Sequence, residues 1–147
     1  MKNMKFIIRK AEEKDLASVL KLFENKADYP MAPPGKEKRK IFSDMLADTS
    51  RYLFVGERNG VICAFVSMKT EHQFDSFFKL SAYITDIKAD CNDAEILTAV
   101  LSRATAVAME NGCNKIILSD KNITALSNSV YSICGFGACD DFYIKNL

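Results

Sequence analysis

The sequence predicts an α/β domain in which helices flank one central, mixed and mostly antiparallel sheet. Three observations carry that expectation. Two apolar runs, Tyr52–Val55 and Val61–Val66, flank Asn59-Gly60, the dipeptide best suited to the positive backbone angles of a tight hairpin turn. A long amphipathic helix, Asp93 to Asn111, lies between two apolar strands, so a parallel β-α-β unit follows the hairpin. No repeat, low-complexity run or linker interrupts the 147 residues, which fits one domain spanning 1–147.

Lys5 to Arg9 is a first strand, short and β-branched at Ile7 and Ile8. Asp15 opens a helix in which Leu16, Val19, Leu20 and Phe23 recur on one face. Pro30, Pro33 and Pro34 forbid helix between Asp28 and Gly35. A second helix covers Glu37 to Ala47, with Ile41, Met45 and Leu46 inward and a basic, solvated opening. After the hairpin, Met68 to Leu80 prolongs the third strand and then loops through His72, Gln73 and Asp75.

Ser81 to Ala89 is a fourth strand with Tyr83, Thr85, Ile87 and Ala89 on one face. In the long helix Ile96, Leu97, Val100, Leu101, Ala104, Val107 and Ala108 form one stripe, and Gly112 ends it. Lys115 to Ser119 is a fifth strand. Thr124 to Cys134 is a short helix stopped by Gly135, and Phe142 to Ile144 a last strand. The crossover from Tyr83 to Ser119 is expected to be right-handed.

Composition excludes several classes. Twenty basic and nineteen acidic side chains nearly cancel, which gives no electrostatic attraction to nucleic acid or an anionic membrane. No apolar run is long enough to span a bilayer, and Met1 to Phe6 lacks a signal-peptide core, so a cytoplasmic location is expected. The five cysteines, Cys63, Cys91, Cys113, Cys134 and Cys139, form no CxxC and stand far from His72, the sole histidine. Free, buried thiols are expected, with neither a zinc site nor a Cys–His pair.

The element order resembles that of the GNAT acyl-CoA N-acetyltransferases, over nearly the whole chain. Ile8-Arg9-Lys10-Ala11 with Asp15-Leu16 resembles the family's first strand and helix cap. Asp86-Ile87-Lys88-Ala89-Asp90 resembles its cofactor-pairing strand, and Tyr131-Ser132-Ile133-Cys134-Gly135-Phe136 fits the pattern Tyr-x-x-x-Gly-Phe. The resemblance implies acetyl-CoA as acyl donor, with its pantetheine arm along Ile87, Lys88 and Ala89. It also implies contacts at the helix start, Ala94, Glu95 and Ile96, and at Asn122, whose alternative role is a helix cap. Tyr131 becomes the general acid for the departing thiolate or, equally, an aromatic packing the last helix. Asp86, mid-strand among apolar residues, is a candidate base, as is Asp120.

One segment departs from the family. The expected glycine-rich phosphate loop is replaced by Asp90-Cys91-Asn92-Asp93-Ala94-Glu95-Ile96-Leu97, which holds neither glycine nor base. Asn92-Asp93-Ala94-Glu95 reads as a helix start that satisfies itself, Asn92 capping and Glu95 reaching back, and the Asp93 and Glu95 carboxylates would meet an incoming pyrophosphate at roughly 1–4 kcal/mol per close pair. Lys88 and Lys121 are the nearest sources of compensation in sequence. Two functions remain open: an N-acetyltransferase acting on a small-molecule or peptide amine with weak cofactor affinity, and a non-catalytic GNAT-like domain that binds a partner or another ligand. The acceptor would be framed by 30–35 and 68–80, and self-association into a homodimer is left open.

Overall fold

The computed structural model describes residues 6–24, 34–74, 77–90, 93–119 and 124–147. The chain runs β1 (Phe6–Lys10), a 3-10 turn (Glu13–Asp15), α1 (Leu16–Phe23), α2 (Lys36–Ala47), β2 (Arg51–Arg58) and β3 (Val61–His72). It continues with β4 (Leu80–Ala89), α3 (Ala94–Glu110), β5 (Lys115–Leu118), α4 (Ala125–Ile133), β6 (Gly137–Cys139) and β7 (Phe142–Asn146). The strands form one sheet in the order β1-β2-β3-β4-β5-β7-β6. Among the described residues β4 and β5 are the parallel pair and every other pairing is antiparallel. The mixed, mostly antiparallel sheet is therefore the one expected. No described helix is long and apolar enough to cross a membrane.

The two faces of the sheet are covered differently. Phe54, Val66, Met68, Ala82, Ile84 and Ile116 point to one face, where α3 and α4 complete the larger core. Leu53, Val55 and Phe65 point to the other, against Leu16, Val19 and Phe42 of α1 and α2. Alternation along each strand sorts these residues to opposite faces. The hairpin turns where Asn59-Gly60 predicted it, with φ of 50° and 79°. At Gly56 an added Cβ would lie 2.9 Å from the Ile96 side chain, so the glycine lets α3 press onto β2.

Four expectations need correction. Strand four does not keep one alternation: Ser67 pairs with Asp86 but Met68 with Ile84, so Thr85 is an extra residue, a β-bulge. The bulge reverses the parity, and Ile87 joins Ala82 and Ile84 in the core under α3 while Tyr83 faces the other way. In α2 the buried residue is Phe42, with Met45 and Leu46 half-buried, whereas Ile41 is 53 % exposed. Cys63 and Cys113 are buried thiols, but Cys134 is only partly covered and Cys139 is exposed. The chain ends in a hairpin, because Gly137–Cys139 pairs with Phe142–Asn146. Lys5, Pro30, Pro33, Asp75, Cys91, Asn92, Asp120, Lys121 and Asn122 lie outside the described residues.

Candidate functional site

The parallel pair β4–β5 is where the sheet opens. Its register ends at Ile84 opposite Leu118, with one further bond from the Ser119 N–H to the Ile84 carbonyl at 3.3 Å. β5 stops there, while β4 runs on to Ala89. Thr85 to Ala89 thus keep β3 on one side and have no strand partner on the other among the described residues.

The hydrogen-bond phase decides which groups that edge offers. The Asp90 N–H donates to the Cys63 carbonyl at 2.8 Å, so Asp90 and Cys63 form a hydrogen-bonded pair of the antiparallel ladder. The adjacent pair, Ala89 with Ala64, then directs its main-chain groups outward, and so does Ile87 with Val66. Lys88 falls in the alternate phase: its main chain bonds to Phe65, and its side chain leaves the sheet on the face opposite α3. Of Ile87, Lys88 and Ala89, the first and last present N–H and C=O groups to the open edge.

Across the sheet from α3 lies a cavity of about 380 Å³ between α1, α2 and the strands. Leu20 and Phe23 of α1, Ile41 and Met45 of α2 and Phe65 of β3 make its wall apolar, and Phe23 meets Phe65 edge-on at 6.1 Å. Asp86 reaches this wall because the bulge at Thr85 turns it there. Its Oδ2 accepts a hydrogen bond from the Thr85 hydroxyl at 3.0 Å, and no described cation forms an ion pair with it. The residue is exposed, so it is not the desolvated mid-strand carboxylate that its apolar sequence neighbours suggested.

At the start of α3 the described cap is Asp93, while the expected cap Asn92 lies outside the described residues and Glu95 pairs with Arg58. The Asp93 Oδ1 accepts the Ile96 N–H at 3.1 Å. Arg58, at the end of β2, grips Asp93 with two bonds of 2.8 and 3.0 Å and reaches Glu95 at 2.7 Å. The Arg58 hydrogen bond is the main influence that holds the Asp93 carboxyl below its usual range, against the opposing effect of burial. Burial, then the charge of Asp93, pushes the neighbouring Asp90 carboxyl up. Sequence reasoning missed Arg58 because it lies thirty-five residues from Asp93. An arginine just before a hairpin turn carries no signal that it will meet a distant helix start.

The remaining predicted residues are less open to a ligand. Ala94 is half-buried, Glu95 is exposed in its pair with Arg58, and Ile96 is buried against Gly56. Tyr131 is buried in the larger core, where its ring meets Tyr143 edge-on with centroids 5.1 Å apart. It is 1 % exposed, so only its hydroxyl, and not its ring, is available for chemistry. His72 sits at the end of β3, its Nδ1 2.6 Å from the Phe78 carbonyl, and Cys134 at the end of α4 near Lys145.

No family model and no curated protein sequence matches this chain. Solved structures do. A transcriptional regulator from Bacillus halodurans superposes with a TM-score of 0.81 at 18 % identity, covering 91 % of this chain and 94 % of that one. Glucosamine-6-phosphate N-acetyltransferase from Arabidopsis thaliana gives 0.75 at 20 % identity, covering 92 % and 93 %. A predicted acetyltransferase from Clostridium acetobutylicum, solved with acetyl-CoA, gives 0.66 at 23 % identity, covering 93 % of each chain. The chain has the fold of the GNAT acetyltransferases.

Proposed function

We propose that this chain is an acyl-CoA-dependent N-acetyltransferase that moves an acetyl group from acetyl-CoA to the primary amine of a small molecule or peptide. One observation carries the reading. Among the described residues five of β4 have no strand partner on one side, with main-chain groups directed outward at Ile87 and Ala89, and Asp86, adjacent in the same strand, faces the cavity on the face opposite α3. A donor laid along the edge and an acceptor in the cavity would meet at the opening between β4 and β5.

The residues fit acetyl-CoA unequally. The open edge suits its pantetheine arm, whose amides can pair with Ile87 and Ala89 as an added strand would. The start of α3 suits its phosphates less, because Asp93 already holds the Ile96 N–H. Arg58 offsets part of the repulsion expected from Asp93 and Glu95, which Lys88 cannot do from the opposite face. Acetyl-CoA, when bound, supplies an activated thioester whose carbon–sulfur bond breaks as the new amide bond forms.

The chain's own residues handle the protons. Asp86 takes the surplus proton of the amine at a carboxylate oxygen, directly or through water. Tyr131 donates its phenolic proton to the departing sulfur, which leaves as the thiol, and is reprotonated once the products have left. The apolar wall gives the acceptor's carbon skeleton a surface to cover beside Asp86.

Calorimetric titration with acetyl-CoA tests the reading. The expected result is saturable binding weaker than micromolar. Absence of binding at millimolar ligand would favour a non-catalytic domain instead. Sub-micromolar binding would mean that Asp93 and Glu95 do not face the phosphates. Tyr131→Phe, which keeps the ring and its packing, is expected to lower turnover about 10²–10⁴-fold with little change in melting temperature. An active but destabilised variant would leave Tyr131 a packing residue.

A further inference from the structure

We propose that the cavity between α1, α2 and the sheet binds a small primary amine carrying one apolar group, with the ammonium on Asp86 and the apolar group against Phe65. The proposal rests on the acyl-transfer reading for what happens next, but not for binding itself. The cavity of about 380 Å³ lies near the lower end of small-molecule sites, so it suits one ring or a short alkyl chain. Its described wall is apolar apart from two charged residues, Asp86 and Lys38. Asp86 lines the same space as Phe65 and, among the described residues, has one hydroxyl donor and no cationic partner, so a ligand cation meets no competitor there. A ligand ammonium would complete it.

The same chemistry argues against other amines. A phosphorylated amino sugar needs several donors for its phosphate and hydroxyls, whereas the described lining offers Lys38 as its cation. A polycationic aminoglycoside needs several carboxylates, whereas the described lining offers Asp86 alone. Lys38, exposed on the first turn of α2, repels a second positive charge at that side of the site. One positive charge and one apolar body is the class that the described lining fits.

The test is binding to the full chain without acetyl-CoA, by calorimetry at neutral pH. Phenethylamine is compared with 2-phenylethanol, which keeps the ring and replaces the ammonium by a hydroxyl, and with glucosamine 6-phosphate. The amine is expected to bind about tenfold or more tightly than the alcohol, since a charge-assisted hydrogen bond is worth at least that factor. Asp86→Asn, at an exposed position, should abolish this preference and leave the alcohol unchanged. Equal affinity of amine and alcohol, an unaltered preference in the variant, or tighter binding of glucosamine 6-phosphate would each overturn the proposal. If phenethylamine binds as expected but acetyl-CoA does not, the cavity assignment stands and acyl transfer fails. If acetyl-CoA binds and phenethylamine does not, the reverse holds.

Discussion

The two faces of the sheet are built to different ends. On one, α3 buries Ile96, Leu97, Val100, Leu101, Ala104 and Ala108, all at 5 % exposure or less. On the other, α2 has twelve residues against the seventeen of α3 and buries Phe42 alone, and α1 and α2 leave a cavity over Phe65. The difference follows from the sequences. α3 carries a continuous apolar stripe, while α2 opens with Lys36-Glu37-Lys38-Arg39-Lys40 and has too few apolar positions to seal a face. Small side chains, Ala104 and Ala108, bring α3 close to the sheet, and Gly56 makes room for Ile96 beneath it. A closed face fixes the fold, and the space left on the other can hold a ligand.

The comparison is sharpened most by equal truncations on the two faces. Leu101→Ala is expected to cost about 2–5 kcal/mol, because a buried leucine in a packed core leaves a cavity that cannot collapse. Met45→Ala removes a similar volume from a half-buried wall that already faces open space, so the cost should stay under about 1.5 kcal/mol. Chemical denaturation of both variants measures the pair. Similar losses would mean that α2 is packed as tightly as α3, and the contrast between the faces would fail.

A smaller effect concerns what anchors the open face where packing is thin. Asp15, just before α1, is buried and accepts two bonds from Arg9, at 2.8 and 2.9 Å, and the Glu12 N–H at 2.7 Å. Arg9 also bonds Glu57, so β1, β2 and the entry to α1 share one hub. Burial raises the Asp15 carboxyl, but the Arg9 and Glu12 bonds outweigh it and the net shift is downward. A carboxylate with a depressed folded pKa contributes its full stability above the unfolded value, about 3.9, and loses it as pH falls through the folded value. Asp15→Asn should therefore cost about 1–3 kcal/mol at neutral pH, and the gap to the unaltered chain should narrow below about pH 4. A gap that stays constant between neutral and strongly acidic pH would show that shape, not charge, sets the role of Asp15.

How much of this was legible in the sequence depended on the range of the interactions. The hairpin at Asn59-Gly60, the stripe of α3 and the Gly135 stop are local, and they stand within a residue or two of where periodicity put them. The bulge at Thr85 was not legible, since one extra residue has no marker in a run such as Tyr83-Ile84-Thr85-Asp86-Ile87. It nevertheless decides the site, because it sends Asp86 to the cavity and Ile87 to the core. Arg58 was hidden for the same reason: its partners become neighbours only when β2 and α3 are packed together. The open edge of β4 follows from β5 being short, which the sequence suggested. Which of its residues face outward depends on ladder phase, which the sequence does not encode locally.

The smallest effect is expected at Ile41, and it separates the face as scaffold from the face as site. Ile41 is 53 % exposed, so its side chain contributes little to the core, and its apolar surface lies on the cavity wall. Ile41→Ser should change unfolding free energy by no more than about 0.5 kcal/mol, the usual range for a surface position. The same change removes most of the apolar area that this residue can offer a ligand. At about 25 cal/mol per Å² of apolar contact, a bound ring that covers a few tens of Å² of Ile41 would lose roughly threefold to tenfold in affinity. Phenethylamine titration of the variant reads this directly, and 2-phenylethanol should weaken by the same factor, because the loss is apolar and independent of Asp86. A variant that is destabilised but binds both ligands normally would make Ile41 part of the core and move the ligand elsewhere. A loss confined to the amine would mean that Ile41 acts through the charge on Asp86 rather than by contact with the ring.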